Sequence, residues 1–236
     1  MHQPQTREST CRLLKNLMIG AVLLSTSQVL AHGVAEGDAA FIEGNTGVQF
    51  IPFIYLGAKH MVSGYDHLLF LFGVIFFLHR LKDVAIYVSL FAIGHSVTLL
   101  WGVLNNTQVS PYIVDAIIGL SVVYKGFDNL GGFKKVLGYQ PNTKAAVLIF
   151  GFFHGFGLAT KLQDFTLSED GLVANIIAFN IGVEIGQLLA LSAILILMGY
   201  WRRTPAFQRY AFTSNGILMC LGFMLMGYQL TGYFVS

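Results

Sequence analysis

The sequence predicts an all-α polytopic membrane protein, a bundle of six transmembrane helices that follows a cleaved signal peptide. Three observations carry this. Hydrophobic residues fill 55% of the 236 positions and charged residues only 11%, against about 25% charged in a soluble domain whose surface must be wetted. Apolar stretches of spanning length recur along the chain, separated by short polar turns or turns bearing glycine and proline. The few basic residues gather in alternate turns. The same figures exclude disorder, collagen and coiled coil. A formal net charge of +2, with no basic cluster longer than two residues, speaks against a nucleic-acid partner.

The first element, residues 1–31, reads as a signal peptide. Arg7, Arg12 and Lys15 form a positive start, Leu17 to Leu24 a short apolar run, and Val29-Leu30-Ala31 a cleavage site before His32. Ser25, Thr26, Ser27 and Gln28 interrupt the run, which argues against an uncleaved helix. Residues 1–31 hold three of the 14 basic and one of the 12 acidic residues, so the remaining chain is formally neutral. That remainder holds one cysteine, Cys220, and can form no internal disulfide. His32 would become the mature N-terminus, where its amine and imidazole have the chemistry to chelate a metal, although a solvated terminus is the plainer reading. Residues 32–59 form a short extracytoplasmic segment, too small for an independent domain, with an interfacial run from Phe50 to Leu56.

Residues 60–236 form the transmembrane domain, with spans expected at about 60–79, 84–104, 111–130, 145–162, 172–200 and 211–234. The fifth, about 29 residues long, must tilt, kink near Gly182 and Gly186, or extend beyond the bilayer. A signal peptide places the mature N-terminus outside, so the turns after spans one, three and five face the cytoplasm. Those turns and the span ends beside them hold Arg80 and Lys82; Lys125, Lys134, Lys135 and Lys144; and Arg202, Arg203 and Arg209, against Lys59 and Lys161 on the outer side. The positive-inside rule and the signal peptide therefore agree, and the location is a bacterial-type inner membrane with the lipid bilayer as first partner. Oligomeric state is left open.

Ionisable side chains inside a bilayer cost on the order of 2.5–3.5 kcal/mol at the helix centre and usually pair or serve a function. Within the spans stand His60, Asp66, His67, His95, Asp115, His154 and Glu184, with Asn180 and Gln187 beside the glutamate. His60 lies near the outer face and His67 about 10 Å deeper along an unbroken helix. Counting from the outer ends of spans two, four and five brings His95, His154, Asn180 and Glu184 to similar depth. His60, Gly64 and His67 share one stripe, and Asn180, Glu184 and Gln187 share another. Gly151 and Gly155 flank His154, and Gly182 and Gly186 flank Glu184, so that neighbouring helices approach closely.

Imidazoles with carboxylates suit a late first-row divalent ion, whereas calcium and magnesium want oxygen. The expected metal set is His60, Asp66, His67, His95, His154 and Glu184, supported by Asn180, Gln187 and Asp115, with Asp66 either a ligand or the orienter of a ligating histidine. Taken singly, an intramembrane histidine is more often an interhelical hydrogen-bonding residue. His60 reads equally as interfacial, His79 as a cytoplasmic-end residue, and Asp115, one turn after Pro111, equally as a helix-start residue. The methionines and Cys220 of the last span read as packing or lipid-facing. No phosphate-binding loop is present, so no nucleotide cofactor is expected. Three functions fit: a divalent-metal permease or facilitator, an intramembrane metal-dependent hydrolase with Asp66 or Glu184 as base, and a metal-binding accessory protein without transport.

The string His60-Met-Val-Ser-Gly64-Tyr-Asp66-His67 resembles the histidine motif of the HupE/UreJ family, and the resemblance continues through His95-Ser96, Phe153-His154-Gly155 and Asn180-x-Gly182-Val-Glu184-x-Gly186-Gln187. It implies a membrane protein associated with hydrogenase and urease accessory genes and regarded as a nickel permease. Nickel is then the first candidate ion, ahead of cobalt, copper and zinc, and metalloenzyme-maturation proteins are possible partners. Met61 stands where the best-known members have proline, and no glutamate closely follows His154, as in a divergent branch with Glu184 supplying the acid.

Overall fold

The computed structural model describes residues 46–163 and 170–235. The expected signal peptide, and residues 32–45 of the segment 32–59, lie outside the described residues. What is described is helical: α1 (Phe50–Ser63), α2 (Tyr65–Ile75), α3 (Leu81–Leu104), α4 (Pro111–Asn129), the short α5 (Gly132–Leu137), α6 (Thr143–Gln163), α7 (Leu172–Arg202) and α8 (Pro205–Val235).

Local sequence sets these boundaries. Pro111 opens α4 at its first turn, where its missing N–H and fixed φ cost nothing. Gly131 and Gly138, at φ 68° and 76°, adopt the left-handed conformation on either side of α5. At α7, 31 residues at 1.5 Å each make about 46 Å, longer than a hydrocarbon core of about 30 Å.

The first expected span is corrected. The helix there starts ten residues early, at Phe50, so the run read as interfacial is helical, and it breaks at Gly64, whose ψ of 99° is extended rather than helical. Among the described residues, four helices are long and apolar enough to cross a membrane: Lys82–Leu104, Thr143–Gln163, Leu172–Arg202 and Pro205–Val235. Neither α1 nor α2 is long enough alone, and α4 carries Asp115, Lys125 and Asp128 in 19 residues.

The bundle is built from three closely packed pairs, α1 with α7, α3 with α6, and α4 with α8. Glycine makes each crossing close. A Cβ on Gly182 would fall 2.0 Å from the Ile54 carbonyl oxygen, and one on Gly155 would fall 2.2 Å from that of His95. The order of these contacts fixes direction. Gly182 faces Ile54 and Gly186 faces Ala58, so α1 and α7 run parallel; Gly151 faces Phe91 and Gly155 faces His95, so α3 and α6 do too. Gly119 faces Met226 and Gly126 faces Met219, so α4 and α8 are antiparallel.

Helix α2 occupies the middle of this assembly, with Asp66, His67, Phe70, Leu71, Gly73, Val74 and Ile75 buried. Its C-terminal end is held by Arg202, whose guanidinium donates to the carbonyls of Ile75 and Phe76, a cationic cap on the negative end of the helix. Outward faces are apolar: Ile93, Val97, Trp101 and Leu104 on α3, and Ile177, Ile181, Ile185 and Leu188 on α7, are exposed. In water such faces would be unstable; against lipid they are matched.

Candidate metal centre

The break at Gly64 organises the site. The Gly64 N–H donates to the His60 carbonyl at 3.0 Å, closing α1, and α2 restarts at the next residue. Asp66 Oδ1 then accepts from the His67 backbone N–H at 2.9 Å and from its Nδ1 at 3.1 Å. A carboxylate can only accept, so Nδ1 carries the proton and Nε2 is left with its lone pair. Asp66 thus sets the tautomer and the direction of the His67 ring, the orienting role common behind metal-bound histidines. A side chain at Gly64 would destroy this fit: its Cβ would stand 2.5 Å from His67 Nδ1.

The α3–α6 pair supplies two more imidazoles. Thr98 ties the helices by donating to the Phe152 carbonyl at 2.8 Å, and the Gly155 contact lets the backbones close where His95 and His154 stand. His154 Nδ1 lies 2.7 Å from the Phe150 carbonyl; since a carbonyl only accepts, Nδ1 again carries the proton and Nε2 is the acceptor nitrogen. His95 is fully buried, and neither of its ring nitrogens has a hydrogen-bond partner. Leaving such groups unmatched costs about 1–3 kcal/mol each, which folding without a purpose would remove.

His67 is the hub. Its ring centroid lies 5.2 Å from that of His60, 5.1 Å from that of His154 and 6.4 Å from that of His95. The 10 Å expected between His60 and His67 does not hold, because the break at Gly64 turns the two rings toward each other. Phe91 packs edge-on against His154 and stacks on His95, and Phe70 lies 5.8 Å from His154. Four imidazoles from α1, α2, α3 and α6 therefore meet inside an aromatic wall. In these side-chain positions no three His, Cys, Asp or Glu groups among the described residues are arranged to grip an ion directly. Two imidazoles sharing one ion at about 2.0–2.1 Å would hold their centroids about 5 Å apart, close to the His60–His67 and His67–His154 spacings and shorter than the 6.4 Å between His67 and His95.

The remaining expected site residues lie elsewhere. Glu184 is exposed, on the side of α7 that presents Ile181, Ile185 and Leu188 outward; the structure does not bring it to the histidines. The spacing of Asn180, Glu184 and Gln187 is compatible with one face, but the buried arc of α7 centres on Ile176, Val183 and Gln187, and Glu184 falls off its edge. Asn180 is buried and donates to the Ile176 carbonyl at 3.2 Å, and the Gln187 amide is buried with neither atom hydrogen-bonded. Asn175, which accompanies Glu184 in sequence, instead accepts from the Gln49 N–H and donates to the Gly47 carbonyl, pinning the segment before α1 to α7. Asp115 accepts from Lys161 at 2.8 Å and from Gln229 at 3.3 Å, joining α4, α6 and α8. Lys161 and Gln229 were not singled out as site residues; the sequence signal for Lys161 is its place seven residues after His154, on the same helical face.

Helices with apolar outer faces around a buried polar cluster define a membrane protein with an internal histidine site. Within that class the chain belongs to the HupE/UreJ family: a family model described as HupE / UreJ protein matches residues 36–236. Membership implies an accessory role in nickel or cobalt handling that is related to transport. Neither curated proteins nor solved structures provide a match to this chain.

Proposed function

We propose that the protein is a permease or facilitator for a divalent transition metal, nickel first, with His60, His67, His95 and His154 as the intramembrane binding site. The observation that carries this is the placement of three imidazole rings within 6.4 Å of His67 in a buried, aromatic-walled interior. All-imidazole surroundings favour nickel, cobalt, copper and zinc over ions that seek oxygen. Asp66 is assigned to orientation of His67 and Glu184 is dropped from the ligand set.

The full topology belongs to the same proposal: six passes, with α1 and α2 together as a broken first span, the mature N-terminus outside and the turns bearing Arg80, Lys134 and Arg202 in the cytoplasm. Six alternating passes require the first and fifth to run parallel, the second and fourth parallel, and the third and sixth antiparallel, which agrees with the glycine contacts. Broken helices at a membrane ion site leave helix-end backbone groups facing the ion. The ion enters near His60, is held by the histidines and leaves inward past Asn180 and Gln187. Transport is favoured over metal-dependent hydrolysis because His67, His95 and His154 are fully enclosed and Glu184, a proposed base, faces outward.

Purified protein in liposomes tests this. Nickel should enter faster than into protein-free vesicles, and His67→Ala and His154→Ala should each abolish the difference. Equal rates with and without the wild-type protein would sink the proposal.

A further inference from the structure

A second buried polar group stands on the same face of α6 as the histidine site. Lys161 follows His154 by seven residues, two turns or about 10 Å along the axis. Its ammonium donates to Asp115 Oδ2 at 2.8 Å, and Gln229 Nε2 donates to the same oxygen at 3.3 Å. Asp115 is 7% exposed and the Lys161 side chain 16%. Gly157, between His154 and Lys161, lets α4 come close: a Cβ there would meet Val114 Cγ1 at 3.0 Å and Asp115 Oδ1 at 3.7 Å. The far end of α6 is marked by Thr143, which bonds Asp128. The ion pair therefore sits on the opposite side of the histidines from the turns rich in lysine and arginine, the side from which the ion arrives if the permease reading holds, on which this inference rests.

Without Lys161, a buried carboxylate with the Gln229 amide beside it would offer oxygen ligands at the entrance. Oxygen ligands are what magnesium and calcium take, and imidazoles are what they refuse. We propose that Lys161 is a specificity-determining residue, a tethered cation that occupies the Asp115 carboxylate and so denies magnesium and calcium a foothold on the way to the histidines. The ammonium also balances the carboxylate, so the entrance holds neither a charge that traps a divalent ion nor one that repels it. Lys161 takes no part in holding the transported ion; it removes an alternative site. The histidines then remain the strongest ligands on the way in, and they favour nickel or cobalt.

The experiment is nickel uptake by liposomes containing the full chain, with magnesium or calcium added as competitor. Wild-type uptake should resist both. In Lys161→Met the uncovered carboxylate should make magnesium inhibit at concentrations at least about tenfold lower, and Lys161→Met with Asp115→Asn should restore resistance. A merely structural ion pair would change thermal stability and leave the competition unchanged, and equal magnesium sensitivity in wild type and Lys161→Met overturns the proposal. Should Lys161→Met fail to fold, Asp115→Asn carries the test. It leaves an uncompensated cation two helical turns from His154, and at a charge separation on the order of 10 Å and an effective dielectric near 20 that weakens divalent binding by about tenfold or more; unchanged nickel affinity overturns the proposal there. If wild-type vesicles take up no nickel, it is the permease reading that has failed, and if the wild type transports but Lys161→Met matches it under magnesium, only this inference has.

Discussion

Gly64→Ala isolates the geometry of the histidine site from its composition. The backbone at Gly64, φ −72° and ψ 99°, is open to any L-residue, so the substitution brings no dihedral strain. What it brings is one methyl group 2.5 Å from His67 Nδ1, 3.0 Å from Asp66 Oδ1 and 3.2 Å from the His60 carbonyl oxygen. Real carbon contacts begin well beyond the first of these, and His67 is fully buried among rings, so it must swing off Asp66. Loss of that charge-assisted hydrogen bond costs about 1.5–3 kcal/mol, and removal of an orienting partner behind a metal-bound histidine lowers metal affinity about 10- to 100-fold. The assay is nickel binding to detergent-solubilised protein by isothermal titration calorimetry, beside thermal unfolding. Gly199→Ala, whose Cβ meets nothing within 4 Å, serves as the control and should leave both measurements unchanged or slightly improve stability. Gly64→Ala binding nickel within about twofold of wild type would refute the reasoning that His67 is held for coordination.

Three further outcomes follow from the same contacts. His95→Phe removes a fully buried ring whose nitrogens lack hydrogen-bond partners, so unfolding temperature should hold or rise while nickel affinity falls at least about tenfold; unchanged affinity would reduce His95 to a packing residue. Glu184→Gln should leave nickel binding within about twofold of wild type, since the carboxylate is exposed away from the cluster, and a tenfold loss would return Glu184 to the ligand set. Arg202→Ala strips the cap from the Ile75 and Phe76 carbonyls and should lower stability by about 1–3 kcal/mol, read as a lower unfolding temperature, with Arg202→Lys recovering part of it.

Much of the histidine cluster was legible in the sequence, because depth along a helix is arithmetic and an imidazole in a span is a rare residue. His67, His95 and His154 lie in spans whose ends are marked by polar turns, so their meeting could be foreseen. The helix break was not legible. Lys59 and His60 look like the start of a span, yet α1 begins at Phe50 because its apolar face packs against α7, with Gly57, Gly182 and Gly186 at the crossing. Nothing local at Ser63-Gly64-Tyr65 distinguishes a glycine that breaks a helix from one that lets another helix approach. The outward placement of Glu184 has a different origin. Residues spaced by four and three share a face, but which part of that face turns inward is decided by the partner helix, and Gly182 and Gly186 turn α7 so that Val183 and Gln187 point inward instead. The pairing of Asp115 with Lys161 and Gln229 joins three helices, and no spacing within one helix could announce it.

The central claim, that the buried histidines hold the ion, is tested most directly by X-ray absorption at the nickel edge of the nickel-loaded protein. The account predicts nitrogen coordination with the multiple-scattering pattern of three or more imidazoles, reduced in His154→Ala. Nickel surrounded by oxygen alone, or a spectrum that His67→Ala and His154→Ala both leave unaltered, would contradict it.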